Sequence, residues 1–588
     1  MSPDWIVNCH SIIILAAKVP SLTVSPVLPL IPLKLQFHLC LDTLIIFVAA
    51  FILLIQRKKF DTFFSSQAFT VSIFALLCAL CMNVSIQGTL YGLSKTMGQS
   101  VFPLFWDSFS ISKYTLRWKA CLYLGNLFLL SFAFESLKNG NKKSNAYFQI
   151  PLITLLLTGT GSLLLMTSNL FTILLALETF SFLTLFVIRI STNKLSSEAT
   201  LLYFFMNLIA TGFLALGLLF IYLGTKSLVA YEIADALFAT SNAQEKIASN
   251  PNIFLGSGLI FGAFLFKLGA FPLHFWVPLT FRAMTFAGVA VTSFSVKLVY
   301  VCFFLQLSLV VLPPLFPLFS DSAWFLFIAC GSIVFGTIMA LIEFNFRKFV
   351  AFTAISQIGF LMLALLPIAN TVAVGVYNQT YFISIYFISM LLFSSSLAAL
   401  RVNNTQINAL SDLRLLSQSA TPFTTAICVV SIFSMAGLPP TSGFWAKYYI
   451  IRACWDISYT VPWGEAMVLF FRLSLLAIVF VNFISAMYYI RLIMLLLLDP
   501  LIVLVKKITF TNIRQCYSIF REFLLQAFAP IKVHLRQGLK HVFIIAPSAI
   551  HSFIREIYHA SLSMEVIKRV CQILGTSFLI LDFCVRCW

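Results

Sequence analysis

Three lysines and one glutamate lie inside apolar stretches of this sequence, where charged side chains are rare. They are Glu178, Lys267, Lys297 and Lys447. On insertion scales, one charge at the centre of a membrane helix costs about 2.5–3.5 kcal/mol. Four such charges would cost on the order of 10–14 kcal/mol, which is comparable to the net stability of a whole domain. The four groups must therefore be paired with opposite charge, hydrated or neutral.

The balance of charges argues against a fully static arrangement. One glutamate cannot neutralise three lysines, so some of these lysines must be hydrated or neutral. A lysine amine can gain or lose its proton when its surroundings change, whereas an arginine stays protonated. Moving one charge across a membrane takes about 2.3 kcal/mol per 100 mV, which is within the range that such changes supply. These residues favour a proton relay, with static ion pairs as the alternative.

The composition places these charges in a membrane protein. Of the 588 residues, 60% are hydrophobic and only 10% are charged, whereas soluble domains are about 25% charged. Apolar runs recur between residues 37 and 498, and one of them, at 169–190, carries Glu178. An isolated segment satisfies its backbone in lipid only as a helix of about 20 residues. We expect an all-α, polytopic membrane protein with about 13–14 transmembrane helices.

Two of the predicted spans contain prolines close to a lysine. Pro272 follows Lys267, and the pair Pro439 and Pro440 precedes Lys447. Prolines inside a span free backbone carbonyls, which can hold water beside the lysine. Paired, Pro-interrupted spans in two halves of a chain are typical of transporters built from internal repeats. We therefore predict two broken helices, each next to a buried lysine.

His274 lies just after the first predicted break. It is the only histidine between His38 and the C-terminal part of the chain. The imidazole is the side chain whose ordinary titration range lies nearest neutral pH. His274 is therefore either a proton-handling group or an ordinary histidine near the membrane interface.

The charge distribution divides the chain into three parts. The net charge is +18, and basic clusters flank apolar runs, as expected for membrane orientation and contact with anionic lipids such as cardiolipin. We expect an N-terminal extension at 1–34, a transmembrane domain at 35–499 and a basic amphipathic extension at 500–588. The last part includes a candidate final transmembrane helix at 570–588. No soluble domain is left to bind nucleic acid.

The sequence has no pattern typical of a cofactor or metal site. Its 13 cysteines are scattered, and the Cys78/Cys81 pair lies in an apolar run, where cysteines usually act as small buried hydrophobes. Rossmann, Walker, haem and iron–sulfur spacings are all missing from the sequence. We expect this chain to bind no cofactor and no metal.

Several motifs in order make the chain recognisable. It contains LETFS, SEA, FKLGAFPLHFWVP, RKFVAFTAISQIGF, AGLPPTSGFWAK and SAMYYIR, at 177–181, 197–199, 266–278, 347–360, 436–447 and 485–491. With these motifs the chain resembles the NADH dehydrogenase (ubiquinone) subunit 2 family, the antiporter-like membrane subunits of respiratory complex I. The resemblance runs with gaps from about 35 to 495.

The resemblance implies a fold and a role for each buried charge. The fold would be two inverted five-helix repeats, spans 4–8 and 9–13, each with one broken helix. Glu178 and Lys267 would form the pair in one half-channel, Lys297 would bridge, and Lys447 would carry the terminal proton. Lys348 is a weaker auxiliary candidate, because a basic pair at a helix start is usually interfacial.

The resemblance also implies a setting. The chain would be a proton-translocating subunit of NADH:ubiquinone reductase without redox chemistry of its own. NADH, FMN, iron–sulfur clusters and ubiquinone would be used by other subunits. Its partners would be neighbouring antiporter-like and small membrane subunits, with accessory subunits at the C-terminal extension. The location would be the mitochondrial inner membrane, with a plastid relative as an alternative.

Two other functions stay open. A secondary Na⁺/H⁺ antiporter subunit would have the same fold, and a structural subunit that has lost pumping would keep it. The chain departs from the family at 279–284, where an acidic, Gly-Ser-Pro-rich loop is usual. It also has Gln357 where the family often has histidine, and Leu202 where a lysine often precedes the tyrosine.

Overall fold

The computed structural model describes residues 33–56, 62–97, 101–138, 146–191, 193–230, 232–233, 251–310, 323–364, 372–399, 410, 422–439, 441–460 and 465–497. The predictions for nearly all of the N-terminal extension, for Pro440 and for the extension at 500–588 fall outside these residues. The described chain is mostly helical, which confirms the helical class. The number of transmembrane helices and the inverted repeats stay predictions.

The first half contains ten helices or helical segments among the described residues. They are α1 (Leu33–Leu39), α2 (Leu41–Gln56), α3 (Thr62–Met97), α4 (Lys113–Lys138), α5 (Ala146–Leu164), α6 (Leu170–Arg189), α7 (Lys194–Thr225), α8 (Pro251–Leu268), α9 (Trp276–Ala283) and α10 (Phe286–Val291).

The remaining elements complete the described chain. A π-helical turn (Thr292–Val296) continues α10 and leads into the next helix. The helices that follow are α11 (Lys297–Val310), α12 (Ala323–Ile342), α13 (Phe346–Leu363), α14 (Val372–Ala399), α15 (Pro422–Ala436), α16 (Ser442–Thr460) and α17 (Glu465–Leu497).

The lengths of these helices fit a multi-pass membrane protein. Within the described residues, 7 helices are long and apolar enough to cross a membrane, and in one of them, Phe286–Leu307, the most apolar 18 residues are buried inside the protein. Shorter apolar helices lie within α2, α5, α12 and α15. In four of these seven spans less than half of the apolar stretch is buried inside the protein, as expected where lipid is the solvent.

The described residues also contain a strand pair that the all-helical prediction missed. Strands β1 (Val101–Leu104) and β2 (Phe109–Ser112) pair antiparallel, with Val101 opposite Ser112. The connecting residues Phe105, Trp106 and Asp107 have positive φ angles of 47°, 58° and 63°. The hairpin is short, and Phe102, Leu104 and Ile111 bury one of its faces in an apolar cluster. Because its residues are apolar and aromatic, their pattern blends with the neighbouring helical runs.

The chain divides into two compact units. One comprises Met1–Ala399 and Ala446–Ile484, and the other comprises Leu400–Trp445 and Ser485–Trp588. The first unit contains α1 to α14 and the side chains of Glu178, Lys267, Lys297 and Lys447. The second contains α15 and the second predicted break.

Glycines bring α7 and α8 close together. A Cβ atom at Gly217 would lie 2.8 Å from the carbonyl oxygen of Gly256, and a Cβ at Gly256 would lie 2.8 Å from the carbonyl oxygen of Gly217. Small residues at a helix crossing allow this close approach in membranes. Gly224 lies against Ile253, so the two helices run antiparallel. Ten to eleven residues away, about 15 Å along the axes, the same register brings Asn207 to Lys267.

Both predicted breaks end their first helix on a left-handed glycine. Gly269 after α8 has φ +73°, and Gly437 after α15 has φ +70°. In each case the next amide returns to a carbonyl five residues earlier, from Ala270 to Leu265 at 2.9 Å and from Leu438 to Phe433 at 3.5 Å. This pattern is the Schellman motif, which stops a helix and satisfies its last carbonyls.

We expect Gly269→Ala to destabilise the protein. A Cβ there would lie 2.4 Å from Cγ2 of Val277, and the positive φ disfavours any L side chain by about 1–2 kcal/mol. Gly258→Ala on the same helix is the matched control, because a Cβ there meets nothing within 4 Å. Thermal unfolding of the purified protein in detergent measures both. Equal midpoints for the two variants would contradict the role of Gly269.

Candidate functional site

Lys267 occupies the centre of a buried polar cluster on α6, α7 and α8. Its side chain is 5% exposed, and Nζ donates a 3.2 Å hydrogen bond to Oδ1 of Asn207. Nδ2 of Asn207 donates at 3.0 Å to Oγ of Ser181, which in turn donates to the backbone carbonyl of Glu178 at 2.8 Å. The ammonium also lies 5.7 Å from the centre of the Tyr300 ring. This cluster connects the lysine to the turn of α6 that carries the glutamate.

Glu178 interacts with Lys267 electrostatically, without forming a salt bridge. Among the described residues, no salt bridge joins the two side chains, but the carboxylate interacts electrostatically with the lysine. Glu178 is partly exposed, whereas Lys267 is buried. The hydrogen-bonded chain through Asn207 and Ser181 ends on the backbone carbonyl of Glu178 rather than on its carboxylate, and the pairing implied by the family resemblance stays a prediction.

A pair of hydroxyl groups, one on α6 and one on α7, lies beside this cluster. Oγ1 of Thr184 and the hydroxyl of Tyr203 lie 2.7 Å apart and share a hydrogen bond, and Thr184 also donates to the carbonyl of Ser181. Both side chains are buried. Hydroxyls can donate and accept at the same time. Thr184 and Tyr203 therefore form a buried hydroxyl pair beside the cluster, and the backbone carbonyl of Ser181 joins that pair to it.

Lys447 has a closely similar environment. It lies on α16 with 4% of its side chain exposed, and Nζ donates a 3.0 Å hydrogen bond to Oδ1 of Asn482 on α17. The same ammonium lies 4.8 Å from the centre of the Phe360 ring. As with Lys267, the ammonium contacts an amide oxygen and an aromatic ring.

An amide acceptor suits a group that changes its charge. The oxygen of Asn207 or Asn482 can accept from either an ammonium or a neutral amine, because both carry N–H donors. The amide orients the lysine without neutralising its charge. A carboxylate at the same place would favour one charge state of its partner. The geometry at Lys267 and Lys447 therefore holds the side chain in place in both states.

Lys297 lies where a π-helical turn joins α11. It is buried, and its Nζ has no hydrogen-bond partner among the described residues. Its ammonium lies 5.7 Å from the centre of the Phe281 ring. π-helical turns inside helices occur frequently at functional sites. Buried polar atoms without a protein partner are usually hydrated, so this lysine is suited to a water-filled connection.

The two auxiliary candidates have different surroundings. His274 is buried in the connection between α8 and α9, with its ring centre 4.2 Å from that of Phe335. Lys348 forms a 3.2 Å ion pair with Glu343, and both side chains are about one quarter exposed or less. Partly exposed pairs of this kind contribute about 0–1 kcal/mol. The position of Lys348 fits the interfacial reading better than a relay.

The proline breaks lie where the sequence predicted them. Pro272 falls between α8 and α9, and Pro439 falls between α15 and α16. Pro440 lies outside the described residues. The departure at 279–284 is not a loop: 279–283 form the end of α9 and Met284 is its C-cap. Arg347 donates to the carbonyls of Arg282 and Met284, which stabilises this helix end.

Sequence reasoning missed the amide partners and one buried ion pair. Asn207 and Asn482 stand in apolar runs, and an intramembrane amide is a signal that could have identified them. Asp42 and Lys119 pair at 3.0 Å, with both side chains fully buried. Asp42 stands near the start of an apolar run, and Lys119 follows a basic residue and a tryptophan. Neither residue lies deep in an apolar run, so the local sequence does not mark them as a buried pair.

Metal ligands do not cluster in the described part of the chain. No group of three or more His, Cys, Asp or Glu side chains there is arranged to hold an ion. The chemistry available at the buried site is therefore that of amines, hydroxyls, amides and one nearby carboxylate.

Comparisons with known proteins point the same way as the geometry. The family described as "NADH:quinone oxidoreductase/Mrp antiporter, TM" matches residues 167–476, just over half of the chain. A relative named NADH-quinone oxidoreductase subunit N 1, from Herpetosiphon aurantiacus, is 28% identical over 66% of this chain and 75% of its own length. Subunit N is the counterpart of subunit 2, so this finding confirms the resemblance seen in the motifs.

Two solved structures have the same fold. A chain of respiratory complex I from Thermus thermophilus has a TM-score of 0.58 at 21% identity, covering 77% of this chain and 89% of its own. A chain of the Mrp complex from Dietzia sp. DQ12-45-1b has a TM-score of 0.58 at 18% identity, covering 78% of this chain and 79% of its own.

The lysine–amide bond can be tested by a double-mutant cycle. We expect Asn207→Leu to lower the free energy of unfolding by about 1.5–3 kcal/mol, because a buried ammonium loses its acceptor. Adding Lys267→Met to the same chain should recover most of that loss, since no charge is then left unpaired. Thermal unfolding in detergent measures each variant. An additive loss in the double variant would contradict the bond.

Proposed function

Because the chain belongs to the NADH:quinone oxidoreductase/Mrp antiporter transmembrane family, we propose that it is a proton-translocating subunit in the membrane arm of complex I. The observation that carries the proposal is the pair of buried lysines, Lys267 and Lys447, each hydrogen-bonded to a neutral amide. Such lysines are positioned to change protonation state while staying in place. The relatives named as NADH-quinone oxidoreductase subunit N support the assignment to this complex.

The relay passes protons between buried amines. A proton enters at Lys267. The ammonium donates a hydrogen bond to Asn207 and interacts electrostatically with Glu178. When that proton leaves, Lys267 becomes a neutral amine, and Lys297 takes up the proton through water. Lys447 receives it next and releases it on the far side. A change in the charge of Glu178 changes the field at Lys267, which couples the relay to events elsewhere in the complex.

The driving reaction belongs to other subunits. NADH oxidation and ubiquinone reduction take place there, with FMN and iron–sulfur clusters as their cofactors. This chain contributes amines and hydroxyls, which move protons but accept no electrons. The chain is thus part of an enzyme, NADH:ubiquinone reductase, without redox chemistry of its own.

The proposed location is the mitochondrial inner membrane, with a plastid membrane as the alternative. The 63 phenylalanines fit the T-rich coding sequences found in many organellar genomes. Neighbouring antiporter-like and small membrane subunits are the proposed partners in the plane of the membrane. The basic extension at 500–588 is proposed to bind accessory subunits, and the basic clusters to bind anionic lipid such as cardiolipin.

A sodium/proton antiporter is the alternative function, because the Mrp complex shares the fold. Transporters coordinate Na⁺ with unwound backbone carbonyls near the middle of the membrane. At the first break, however, Lys267 places an amine two residues before Gly269. A cationic amine repels Na⁺, so the observed groups favour protons. Transport that depends on sodium without a redox partner would favour the antiporter.

The proposal predicts that Lys267→Arg and Lys267→Met both abolish most proton pumping. The arginine variant keeps the positive charge but cannot release its proton, so a relay fails and a static charge would survive. The measurement is the initial rate of acidification per NADH oxidised, in membrane vesicles that contain the assembled complex. Native electrophoresis checks that assembly is retained.

Lys194 supplies the matched control, because it is an exposed lysine at the start of α7. Lys194→Arg and Lys194→Met should pump normally. If Lys267→Arg pumps normally while Lys267→Met does not, the lysine is a static charge. Normal pumping in both Lys267 variants would favour a structural subunit that has lost pumping.

A further inference from the structure

Asp42 and Lys119 form an ion pair that lies wholly inside the first unit. Nζ of Lys119 donates to the two carboxylate oxygens at 3.3 and 3.0 Å, and both side chains are 0% exposed. The hydroxyl of Tyr123 donates to Oδ2 at 3.1 Å, and the backbone N–H of Thr43 donates to Oδ1 at 2.8 Å. Nδ2 of Asn83 approaches Oδ2 at 3.4 Å. Donors therefore surround the carboxylate, and three of them come from side chains on α3 and α4.

A contribution to folding stability is a weak explanation for this buried ion pair. A buried ion pair is often no more stable than apolar side chains of similar size, because both charges lose their hydration. In a membrane the same helices would pack with apolar residues at lower cost. The pair also lies before residue 167, outside the segment that matches the antiporter family. The matched segment therefore does not account for it.

A polar face of α4 leads away from the pair. Lys119, Tyr123 and Asn126 are spaced by four and three residues, which places them on one side of the helix. Tyr123 also hydrogen-bonds to Ser162 on α5. At the other end, Asn126 accepts a short hydrogen bond from the hydroxyl of Ser295. The polar face thus extends from the ion pair to the π-helical turn.

The contact between α4 and the π-helical turn is close. A Cβ at Gly125 would lie 2.1 Å from the ring of Phe294, so only glycine fits there. Next to this contact, Ser295 precedes Lys297 by two residues. Within the described residues, neither Nδ2 of Asn126 nor Nζ of Lys297 has a hydrogen-bond partner. Two buried, unpartnered donors near one junction provide polar contacts for bridging water.

We propose that Asp42, Lys119 and Tyr123 form a further proton-holding site, which exchanges protons with Lys297 through the polar face of α4 and the π-helical turn. In the transfer, the Lys119 ammonium becomes a neutral amine and Asp42 stays a carboxylate. The neutral Lys297 amine becomes an ammonium. One proton moves, so the site changes from net zero to −1 and Lys297 from zero to +1. Hydroxyls of Tyr123 and Ser295 and bridging water carry the proton.

The inference rests on the proposed pumping function and extends it to the amino-terminal helices. Its test uses Asp42→Asn together with Lys119→Met, so that both charges are removed and neither is left unpaired. The assembled complex is assayed in vesicles for acidification per NADH oxidised. We expect assembly to be retained and the proton yield per NADH to fall to that of Lys297→Met.

Combining the variants separates a proton path from a packing role. If the site exchanges protons with Lys297, adding Lys297→Met to the Asp42/Lys119 double variant should lower the yield no further, because groups that act as one unit are not additive. A packing role predicts a lower amount of complex with a normal yield per NADH. A further, independent fall in yield on adding Lys297→Met would contradict the exchange with Lys297.

Smaller changes decide the question if the double variant fails to assemble. Tyr123→Phe removes one hydroxyl and keeps both charges, and Ser295→Ala removes the link to Asn126. Each should lower the proton yield per NADH. Tyr114→Phe, the same substitution on the same helix away from Asp42, is the control and should pump normally. Normal yields in both test variants would overturn the proposal.

The proposed function and this inference fail in different ways. Lys267→Met is assayed in the same vesicles. If Lys267→Met pumps normally, the proposed function is wrong and this inference fails with it. If Lys267→Met stops pumping while the Asp42/Lys119 double variant and Ser295→Ala keep the full yield, only the inference is wrong.

Discussion

The hydrogen bond between Lys267 and Asn207 is the interaction on which the candidate site depends. A buried ammonium needs an acceptor in lipid, and a carboxylate would provide one only by adding a charge. The amide oxygen, 3.2 Å from Nζ, meets the need without a charge. The lysine is thereby held in one place while its net charge stays free to change. A relay through Lys267 uses both properties, and Lys447 is held in the same way by Asn482.

Backbone constraints determine where that bond can form. Gly217 and Gly256 let α7 and α8 approach closely, and the antiparallel register then brings Asn207 opposite Lys267. Two residues later, the left-handed Gly269 ends α8 with its last carbonyls bonded. The helix stops inside the protein without leaving its final backbone groups unpaired, which lipid would not tolerate. Gly269 therefore allows α8 to end two residues after the buried charge of Lys267.

Much of the fold follows from local sequence, while the contacts do not. The apolar run at 169–190 became α6 (Leu170–Arg189), because length and hydrophobicity are local properties. The lysines and the glutamate stood out for the same reason. Their partners depend on distant segments: Asn207 is 60 residues from Lys267, and Asp42 is 77 residues from Lys119. No local period carries that information, so the hydrogen bond between Lys267 and Asn207 could not be predicted from the sequence.

The ion pair between Asp42 and Lys119 does not remove the excess of positive charge that the sequence shows. One acid against three lysines left an excess of positive charge inside the membrane domain. Asp42 adds an acid, but Lys119 accompanies it and the two charges cancel locally. The excess at Lys267, Lys297 and Lys447 therefore persists. Lys119 has a carboxylate, Lys267 and Lys447 have amides, and Lys297 has no hydrogen-bond partner among the described residues. Because these amines have different partners, their surroundings stabilise the ammonium form to different extents. A proton moves from one amine to another only when that difference changes.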